Sequence, residues 1–334
     1  MRFLARVAAF FLAVKAFRAG RGAGAARPSR RAGPGIRGGG SVERGPAARR
    51  AGEPGPDTPL ELRSDDWKAT AKRTLTEIRD DRVTLVAAGM AYYFFLAIFP
   101  AVIALVGVLG LVEAPSSLID DIKSSIGSLL PGESGNLLTG AIDDAAAASE
   151  GTSLVAAVVG IALALWSSSS GFVHLQAGLN IAYDVPRDRK FFAKRGVAAL
   201  LLIATGLLGG VPSPFFTFGE GDVFAAIGWV LTIVAVIVLF SIYYFVAPKR
   251  DAPTWHWVSP GGLLGAFLWI AASVAFKIYV GNSESYGETY GSIAAVVVLI
   301  LWLFITSMTI LIGGELNAEL ERQARRRAAG VTAH

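Results

Sequence analysis

The sequence TLVAAGMAYYFFLAIFPAVIALVGVLGLV, residues 84–112, is an apolar run of 29 residues without a charged side chain. A helix needs about 20 such residues to cross the hydrocarbon layer of a bilayer. Five more apolar segments follow, at approximately Thr152–Tyr183, Arg195–Phe218, Val223–Ala247, Trp257–Gly281 and Thr289–Asn317. The sequence therefore predicts an all-α integral membrane protein with six transmembrane helices.

The overall composition agrees with a membrane protein and excludes several kinds of site. Of the 334 residues, 53% are hydrophobic and only 17% are charged. The absence of cysteine rules out a disulfide framework, a thiolate metal site and a cysteine nucleophile. The three histidines are 174, 256 and 334, and a metal pair of His174 and His256 lacks further obvious ligands. We expect no metal and no cofactor.

Lys and Arg in the loops predict the orientation of the chain. Basic residues lie in the links after segments two and four and in the C-terminal tail, whereas the links on the other side are acidic. Because loops rich in Lys and Arg stay on the cytoplasmic side, both termini are predicted to be cytoplasmic. The basic residues concerned are Arg187, Arg189, Lys190, Lys194, Arg195, Lys249, Arg250, Arg322, Arg325, Arg326 and Arg327.

Segments outside the predicted transmembrane domain, residues 83–320, are polar or amphipathic. Residues 1–63 are rich in Gly, Ala, Pro and Arg, which predicts a disordered tail that either binds anionic lipids or is dispensable. Residues 64–82 are expected to form an interfacial helix, capped by Ser64, with an apolar stripe of Trp67, Ala71, Leu75 and Ile78. Residues 321–334 are predicted to be a basic cytoplasmic tail.

The outer loop between segments one and two, residues 113–151, is too long to lack structure. Apolar residues from Ile119 to Leu130 follow a helical period that Pro131-Gly132 should end, and a second period runs from Leu137 to Ala148. We expect these two amphipathic helices to form a helical cap on the outer face.

Polar residues in segment two are the first candidates for function. Four of them could line a path open to the cytoplasm, because polar groups at membrane depth usually face the bundle interior. The alternative is helix packing with interhelical hydrogen bonds, since Gly171 and Gly178 share this helix. The candidate residues are Ser167, Ser170, His174 and Asn180.

The end of segment six supplies a second candidate, in the sequence Gly313-Gly314-Glu315-Leu316-Asn317. An unpaired carboxylate near the lipid boundary is costly, so Glu315 should have a basic partner. We expect that partner to be Arg189, Arg195 or Lys249, with Glu315 and Arg189 closing the inner end of the path and Asn317 beside them. This arrangement is either a structural lock, or a gate or proton site.

No pattern of residues in the chain points to catalysis or to nucleic acid. It has no HExxH, GxSxG or P-loop motif, and no spacing identifies a base for a serine nucleophile. Its basic residues lie in a tail and in short loops instead of alternating with aromatic residues on a folded face. We therefore expect neither an enzyme nor a nucleic-acid-binding protein.

The run AGMAYYFFLAIFP, residues 88–100, resembles the first membrane segment of the YihY/BrkB family, a group of bacterial inner-membrane proteins once labelled ribonuclease BN. The resemblance covers about residues 64–320 and implies six helices in a bacterial cytoplasmic membrane, but no agreed activity; the N-terminal tail is not part of the family pattern. Further matches, in order, are Leu165-Trp166-Ser167 with Gly171, Asn180 to Tyr183 with Arg189 and Phe191, Tyr243 to Pro248, Pro260-Gly261 with Gly265-Ala266, Tyr290-Gly291-Ser292, Trp302, and residues 313–317.

Two functions from different classes follow from these patterns. The first is a non-enzymatic, transporter-like protein that moves a lipid, a small amphiphile or a solute and supports envelope integrity. The second is a structural scaffold of the envelope whose Gly- and Ser-rich faces bind other membrane proteins or a second copy of the chain. A membrane-associated ribonuclease, implied by the old family label, is disfavoured.

Overall fold

The computed structural model describes residues 58–111, 115–129, 133–149, 154–209, 222–250, 255–282 and 292–328. The predicted tail lies outside the described residues as far as residue 57. Within the described ranges all regular structure is helical, and a short 3-10 turn at Pro59–Glu61 precedes nine α-helices. These are α1 (Ser64–Asp80), α2 (Val83–Leu111), α3 (Ser116–Leu129), α4 (Glu133–Ser149), α5 (Leu154–Ala182), α6 (Phe191–Gly209), α7 (Asp222–Val246), α8 (Trp255–Gly281) and α9 (Ser292–Ala328).

Six of these helices, α2 and α5 to α9, are long and apolar enough to cross a membrane. This confirms the six segments predicted from hydropathy. The boundaries differ by a few residues: α6 begins at Phe191, four residues before the predicted Arg195. The last helix continues to Ala328, through most of what was expected to be a tail. Its length gives it a polar extension beyond the apolar part.

The crossing helices pack as a closed ring with α9 as the most connected member. Along the ring, α2 contacts α5, α5 contacts α6, α6 contacts α7, α7 contacts α8, and α8 contacts α9, which returns to α2. Helix α9 also touches α5 and α7 across the ring. We call the end of the bundle that carries residues 183–190, residues 247–250 and the C-terminal part of α9 the basic end. Its cytoplasmic location stays a prediction.

Helices α8 and α9 approach closely because both carry glycine at the contact. A Cβ atom added to Gly261 would lie 2.1 Å from the carbonyl oxygen of Gly313. The same point is a break in α8, since Pro260 cannot donate a backbone hydrogen bond. The Asn317 side chain bridges this break: it accepts from the Gly261 N–H at 2.7 Å and donates to the Val258 carbonyl oxygen at 3.1 Å. The two helices are therefore joined through the backbone of the kink.

Helices α3 and α4 confirm the two helices predicted in the outer loop, and their contacts show where they pack on the bundle. Leu138, near the start of α4, belongs to a buried cluster with Ala91 of α2 and with Leu299 and Leu303 of α9. One turn later, Ile142 packs with Val102 and Val106 of α2. The start of α4 therefore lies deeper in the bundle than its end. The α3–α4 hairpin therefore packs between α2 and α9, and its location on the outer face stays a prediction.

Helix α1 confirms the predicted amphipathic helix, although it buries a different face. Ser64 is its first residue instead of its cap, and the Asp66 carboxylate accepts the Arg63 N–H at 2.9 Å. The buried positions are Asp66, Thr70 and Thr74, whereas Leu75 of the apolar stripe is 63% exposed. Trp67 of the stripe packs against the buried cluster of Leu62, Trp257 and Leu320, so the helix contacts the protein through its polar face and through one end of the stripe.

We expect Gly261→Ala to destabilise the fold by about 1–3 kcal/mol or more, because the added methyl group would force α8 away from α9. Gly206→Ala is the matched control, since no atom lies within 4 Å of a Cβ built there. Thermal unfolding of the two purified variants in the same detergent measures the difference. Equal melting temperatures would contradict the close contact.

The inserted hairpin predicts a difference in the reactivity of introduced cysteines, which the chain otherwise lacks. Ser134, at the start of α4, is fully buried, whereas Asp144 is exposed on the same helix. Ser134→Cys should resist labelling by a water-soluble maleimide in the folded protein, and Asp144→Cys should react readily. Similar labelling rates at both positions would contradict the packing of the start of α4 between α2 and α9.

Candidate functional site

A row of polar contacts fixes α1 along the C-terminal extension of α9. The helices are antiparallel, so residues early in α1 meet residues late in α9. Asp66, the charged residue among the buried positions of α1, has its partners on α9, whereas Thr74 donates to the Thr70 carbonyl oxygen within α1. The contacts are Asp66 with Arg327, Gln323 Nε2 to Asp66 Oδ1 at 2.8 Å, Arg73 Nη2 to Gln323 Oε1 at 2.9 Å, and Arg322 Nη1 to Glu77 Oε1 at 3.2 Å.

Arg322 is the cation that joins three parts of the chain. Its guanidinium binds the carboxylates of Glu77 from α1, Glu319 from α9 and Asp184 from the link after α5. Glu319 is only 1% exposed, so its charge depends on this contact. The single positive charge of Arg322 is thus shared by three carboxylates. It can compensate little of the charge of any further carboxylate nearby.

Two further carboxyl groups, those of Asp81 and Glu315, meet at the end of this row within hydrogen-bonding reach of each other. Glu315 is 1% exposed, and neither of its oxygens accepts a hydrogen bond from the residues that the structure describes. Asp81 is partly exposed, but its Oδ2 atom is likewise buried without a donor. Repulsion opposes charging two carboxylates in contact in a buried site, which favours a proton shared by the pair.

The local backbone brings Asp81 to this position. Asp81 and Arg82 form the two-residue corner between α1 and α2, and Arg82 adopts the left-handed conformation with φ 49°. The Asp81 N–H still bonds to the Glu77 carbonyl oxygen at 2.8 Å, which continues the last turn of α1. The corner turns the chain from the surface of α9 into the first crossing helix, and so places the Asp81 side chain against α9.

Electrostatics separate the two ends of the row. Burial raises the pKa of Asp81, and the carboxylate of Asp184 raises it further. Burial also raises the pKa of Glu77 despite its contact with Arg322. At the other end, hydrogen bonds from Arg327 and Gln323 outweigh burial and lower the pKa of Asp66. Asp66, Gln323 and Arg327 therefore form a charged contact, which we call the clasp. The end of the row near Glu315 instead favours protonated carboxyl groups.

The expected basic partners of Glu315 bind elsewhere, so that expectation is wrong. Arg189 donates to the carbonyl oxygens of Val246 at 2.9 Å and Pro248 at 3.0 Å, and also to that of Ala247. These bonds cap the C-terminal end of α7. Arg195 donates to the hydroxyls of Ser169 and Ser170 and to the Trp166 carbonyl oxygen, and Lys249 to the carbonyl oxygens of Arg187 and Asp188. These bonds satisfy the ends of helices and links.

The other predicted site residues lie on α5 and α9 in separate contacts. Asn180 donates to Asp188 Oδ1 and accepts the Lys249 N–H, both at 2.9 Å. It therefore connects the link after α5 to the link after α7. His174 donates from Nδ1 to the Ser170 carbonyl oxygen at 2.9 Å and stacks on Tyr93. Ser167 is exposed on the surface of α5. A path lined by these residues stays a prediction.

The analysis of the sequence missed Asp81, the direct neighbour of Glu315. It lies in the run Arg79-Asp80-Asp81-Arg82, where charges before a membrane segment look like ordinary interfacial residues. The repeat Asp66, Thr70, Thr74 at intervals of four was the available signal, since a polar face of that spacing indicates a helix that packs through hydrogen bonds. Asp81 lies on the same face two turns beyond Thr74.

Comparison with known proteins identifies the family. A family model described as "Virulence factor BrkB" matches residues 74–333, so the chain belongs to this family. The protein named "Putative ribonuclease-like protein YfkH" of Bacillus subtilis (strain 168) is 30% identical over 270 residues, which cover 72% of this chain and 90% of that protein. "UPF0761 membrane protein XCC0860" of Xanthomonas campestris pv. campestris is 26% identical over 248 residues, 72% of this chain but only 58% of that protein. No solved structure matches the chain.

The carboxyl pair predicts that stability falls as pH rises. A carboxyl group whose pKa is raised in the folded state stabilises the fold fully below its ordinary value, 3.8 for Asp81, and loses that contribution as pH rises through the raised pKa. The melting temperature should therefore decline as pH rises above this ordinary value and through the raised pKa of Asp81. Glu315→Gln should flatten this decline, because an amide can donate a hydrogen bond to a charged Asp81.

Asp80→Asn is the control for this measurement. Asp80 is exposed and adjacent to Asp81, so its replacement removes the same charge from the surface and should leave most of the pH dependence intact. A Glu315→Gln variant with the same slope as the unmodified protein would show that the pair does not hold the proton.

Proposed function

We propose that this member of the BrkB family is a transporter-like protein of the bacterial cytoplasmic membrane, not an enzyme, and that it moves a lipid, another small amphiphile or a solute. We further propose that proton binding by Asp81 and Glu315 drives or gates this movement. The observation that carries the proposal is the buried carboxyl of Glu315, which finds no hydrogen-bond donor in the described part of the chain and lies against a second carboxyl group. Ionisable groups inside a membrane bundle commonly mark ion or proton sites.

The surroundings of the pair link its protonation to the position of a helix. Asp81 belongs to the corner between α1 and α2, whereas Glu315 belongs to α9, so repulsion between two charged carboxylates would separate these elements. Loss of the shared proton therefore favours an arrangement in which α2 and α9 are further apart, and gain of a proton favours the close one. A cycle of proton gain and loss could thus alternate between two conformations.

Access to water also fits a proton site. Asp81 is partly exposed at the basic end of the bundle, whereas Glu315 is buried behind it. A proton that enters from this side meets Asp81 first and reaches Glu315 by transfer between the carboxyl groups. The charged and titratable groups that face the pair are Asp184 and Tyr183 from the link after α5, Glu77 from α1, and Arg322 from α9.

An amphiphile is the favoured substrate because the crossing helices are poor in charge. Helices α2 and α5 contain no Asp, Glu, Lys or Arg, α7 contains only Asp222, and α8 contains only Lys277. Ion pathways usually carry several charges, whereas a lipid or amphiphile can move along surfaces that are largely apolar. Hairpin α3–α4 also fits a transporter. Helices that enter a bundle without crossing it often line the substrate region.

The test is transbilayer movement of a fluorescent phospholipid, and of a single-chain fluorescent amphiphile, in liposomes that contain the purified full-length chain. Protein-dependent movement should respond to an imposed pH gradient. Glu315→Gln and Asp81→Asn should each reduce it by roughly tenfold or more, as expected when one interaction that the mechanism requires is removed. Asp80→Asn, which changes an exposed acid next to the pair, should leave it unchanged.

The outcomes separate the parts of the proposal. Movement that ignores the pH gradient and survives Glu315→Gln would retain transport and remove the proton link. No protein-dependent movement of either probe would contradict transport of amphiphiles. Metal-dependent RNA cleavage by the purified chain, lost in Glu315→Gln, would overturn the non-enzymatic assignment.

A further inference from the structure

A cluster of exposed aromatic side chains surrounds one arginine at the start of α6, away from the carboxyl pair. Trp166 of α5 is 48% exposed, and Phe192 of α6 is 82% exposed. The ring centroids of Trp166 and Phe191 are 6.0 Å apart, and those of Phe191 and Phe192 are 5.4 Å apart. The Arg195 guanidinium lies 4.9 Å from the centre of the Trp166 ring. We call these four residues the aromatic–arginine patch.

Arg195 is held in place by one edge of its guanidinium group. A single nitrogen, Nη1, donates to the hydroxyls of Ser169 and Ser170, each at 3.0 Å, and to the Trp166 carbonyl oxygen at 3.2 Å. Its Nη2 and Nε atoms make no hydrogen bond within the residues that the structure describes. These two nitrogens form the edge that binds both oxygens of a phosphate group. The side chain is therefore oriented, and the edge that would recognise a phosphate is unused.

The charge around the patch favours an anion. Residues 184–195 contain five basic and two acidic side chains. Asp188 is already paired with Lys194, whereas Lys190 is exposed next to Phe191. A ligand at the patch would therefore meet the Arg195 edge and a net positive surface. The exposed rings next to it supply an apolar surface of the kind that lies at the boundary between headgroups and acyl chains.

We propose that the aromatic–arginine patch binds an anionic phospholipid, with its phosphate on Arg195 and its acyl chains along Trp166, Phe191 and Phe192. The combination distinguishes this ligand from a soluble anion, which has no use for exposed rings. It also distinguishes the patch from general membrane anchoring, because Arg195 is fixed by three acceptors instead of extending freely to the headgroups. The proposal does not depend on proton binding by Asp81 and Glu315.

The experiment titrates the purified full-length chain in detergent with phosphatidylglycerol, or with phosphatidylcholine of the same acyl chains, and counts bound lipids by native mass spectrometry. The unmodified chain should prefer phosphatidylglycerol. Arg195→Gln should weaken that binding by roughly tenfold, as expected for loss of one charge-assisted contact with two hydrogen bonds. Arg187→Gln is the matched control, because Arg187 is an exposed arginine in the same link and its replacement removes the same charge.

A second variant protects the test against misfolding of Arg195→Gln. Phe192→Ala changes a side chain that is 82% exposed, so it should keep the fold and lose part of the affinity. Equal losses in Arg187→Gln and Arg195→Gln would show general surface charge and overturn the site. No preference between the two lipids, or full retention of binding by Phe192→Ala, would also overturn it. Displacement of the lipid by millimolar inorganic phosphate would mean that the site takes a soluble phosphate instead.

Discussion

The absence of water from the hydrocarbon layer constrains this fold more than any other factor. A polar group buried there must find its partner within the protein. The break in α8 at Pro260 is tolerated because Asn317 supplies both a donor and an acceptor to the exposed backbone. The Tyr244 hydroxyl, buried between α7 and α9, donates to the Ile310 carbonyl oxygen at 2.9 Å. Arg189 likewise donates hydrogen bonds to backbone carbonyl oxygens at the end of α7. Side chains that look like components of a pore are thus used to complete the backbone.

Against this background the Asp81–Glu315 pair is unusual. The fold places cations throughout the basic end, yet Arg322 is already shared by three acids and Arg250 is bound to Glu321. A structural lock would have placed one of these cations on Glu315. Natural proteins rarely leave a buried carboxyl without a donor unless it can become neutral or is needed for function. Sharing a proton with Asp81 satisfies the first condition, and the position of the pair between two elements of the chain suggests the second.

Hydropathy and periodicity predicted the six crossing helices, the two outer helices and α1, because each depends on a local pattern that the membrane enforces. Orientation of those helices toward one another was not predictable in the same way. The apolar stripe of α1 predicted a helix lying on the membrane, but it did not show that the opposite face, with Asp66, packs against the extension of α9 through Gln323 and Arg327. Glu315 was recognised as a costly carboxylate, whereas its partner was sought among cations; the structure supplies an acid from a corner 234 positions earlier in the chain. The two helices of hairpin α3–α4 were predicted from their period, but the helices they pack against were not, because amphipathicity does not distinguish a lipid surface from a groove between helices.

The clasp and the pair together determine what a change in protonation can do. Asp66, Gln323 and Arg327 hold the start of α1 to the end of α9 at any pH at which Asp66 is charged, and its lowered pKa keeps it charged in mild acid. The far end of α1 is held by groups that favour protons, so repulsion acts only there. A helix fixed at one end and repelled at the other pivots instead of dissociating. Because α2 follows α1 after a corner of two residues, such a pivot would act directly on the crossing helix that packs against α5, α9 and the inserted hairpin. If the pair binds and releases a proton as proposed, the arrangement would couple protonation at the basic end to a movement of α2.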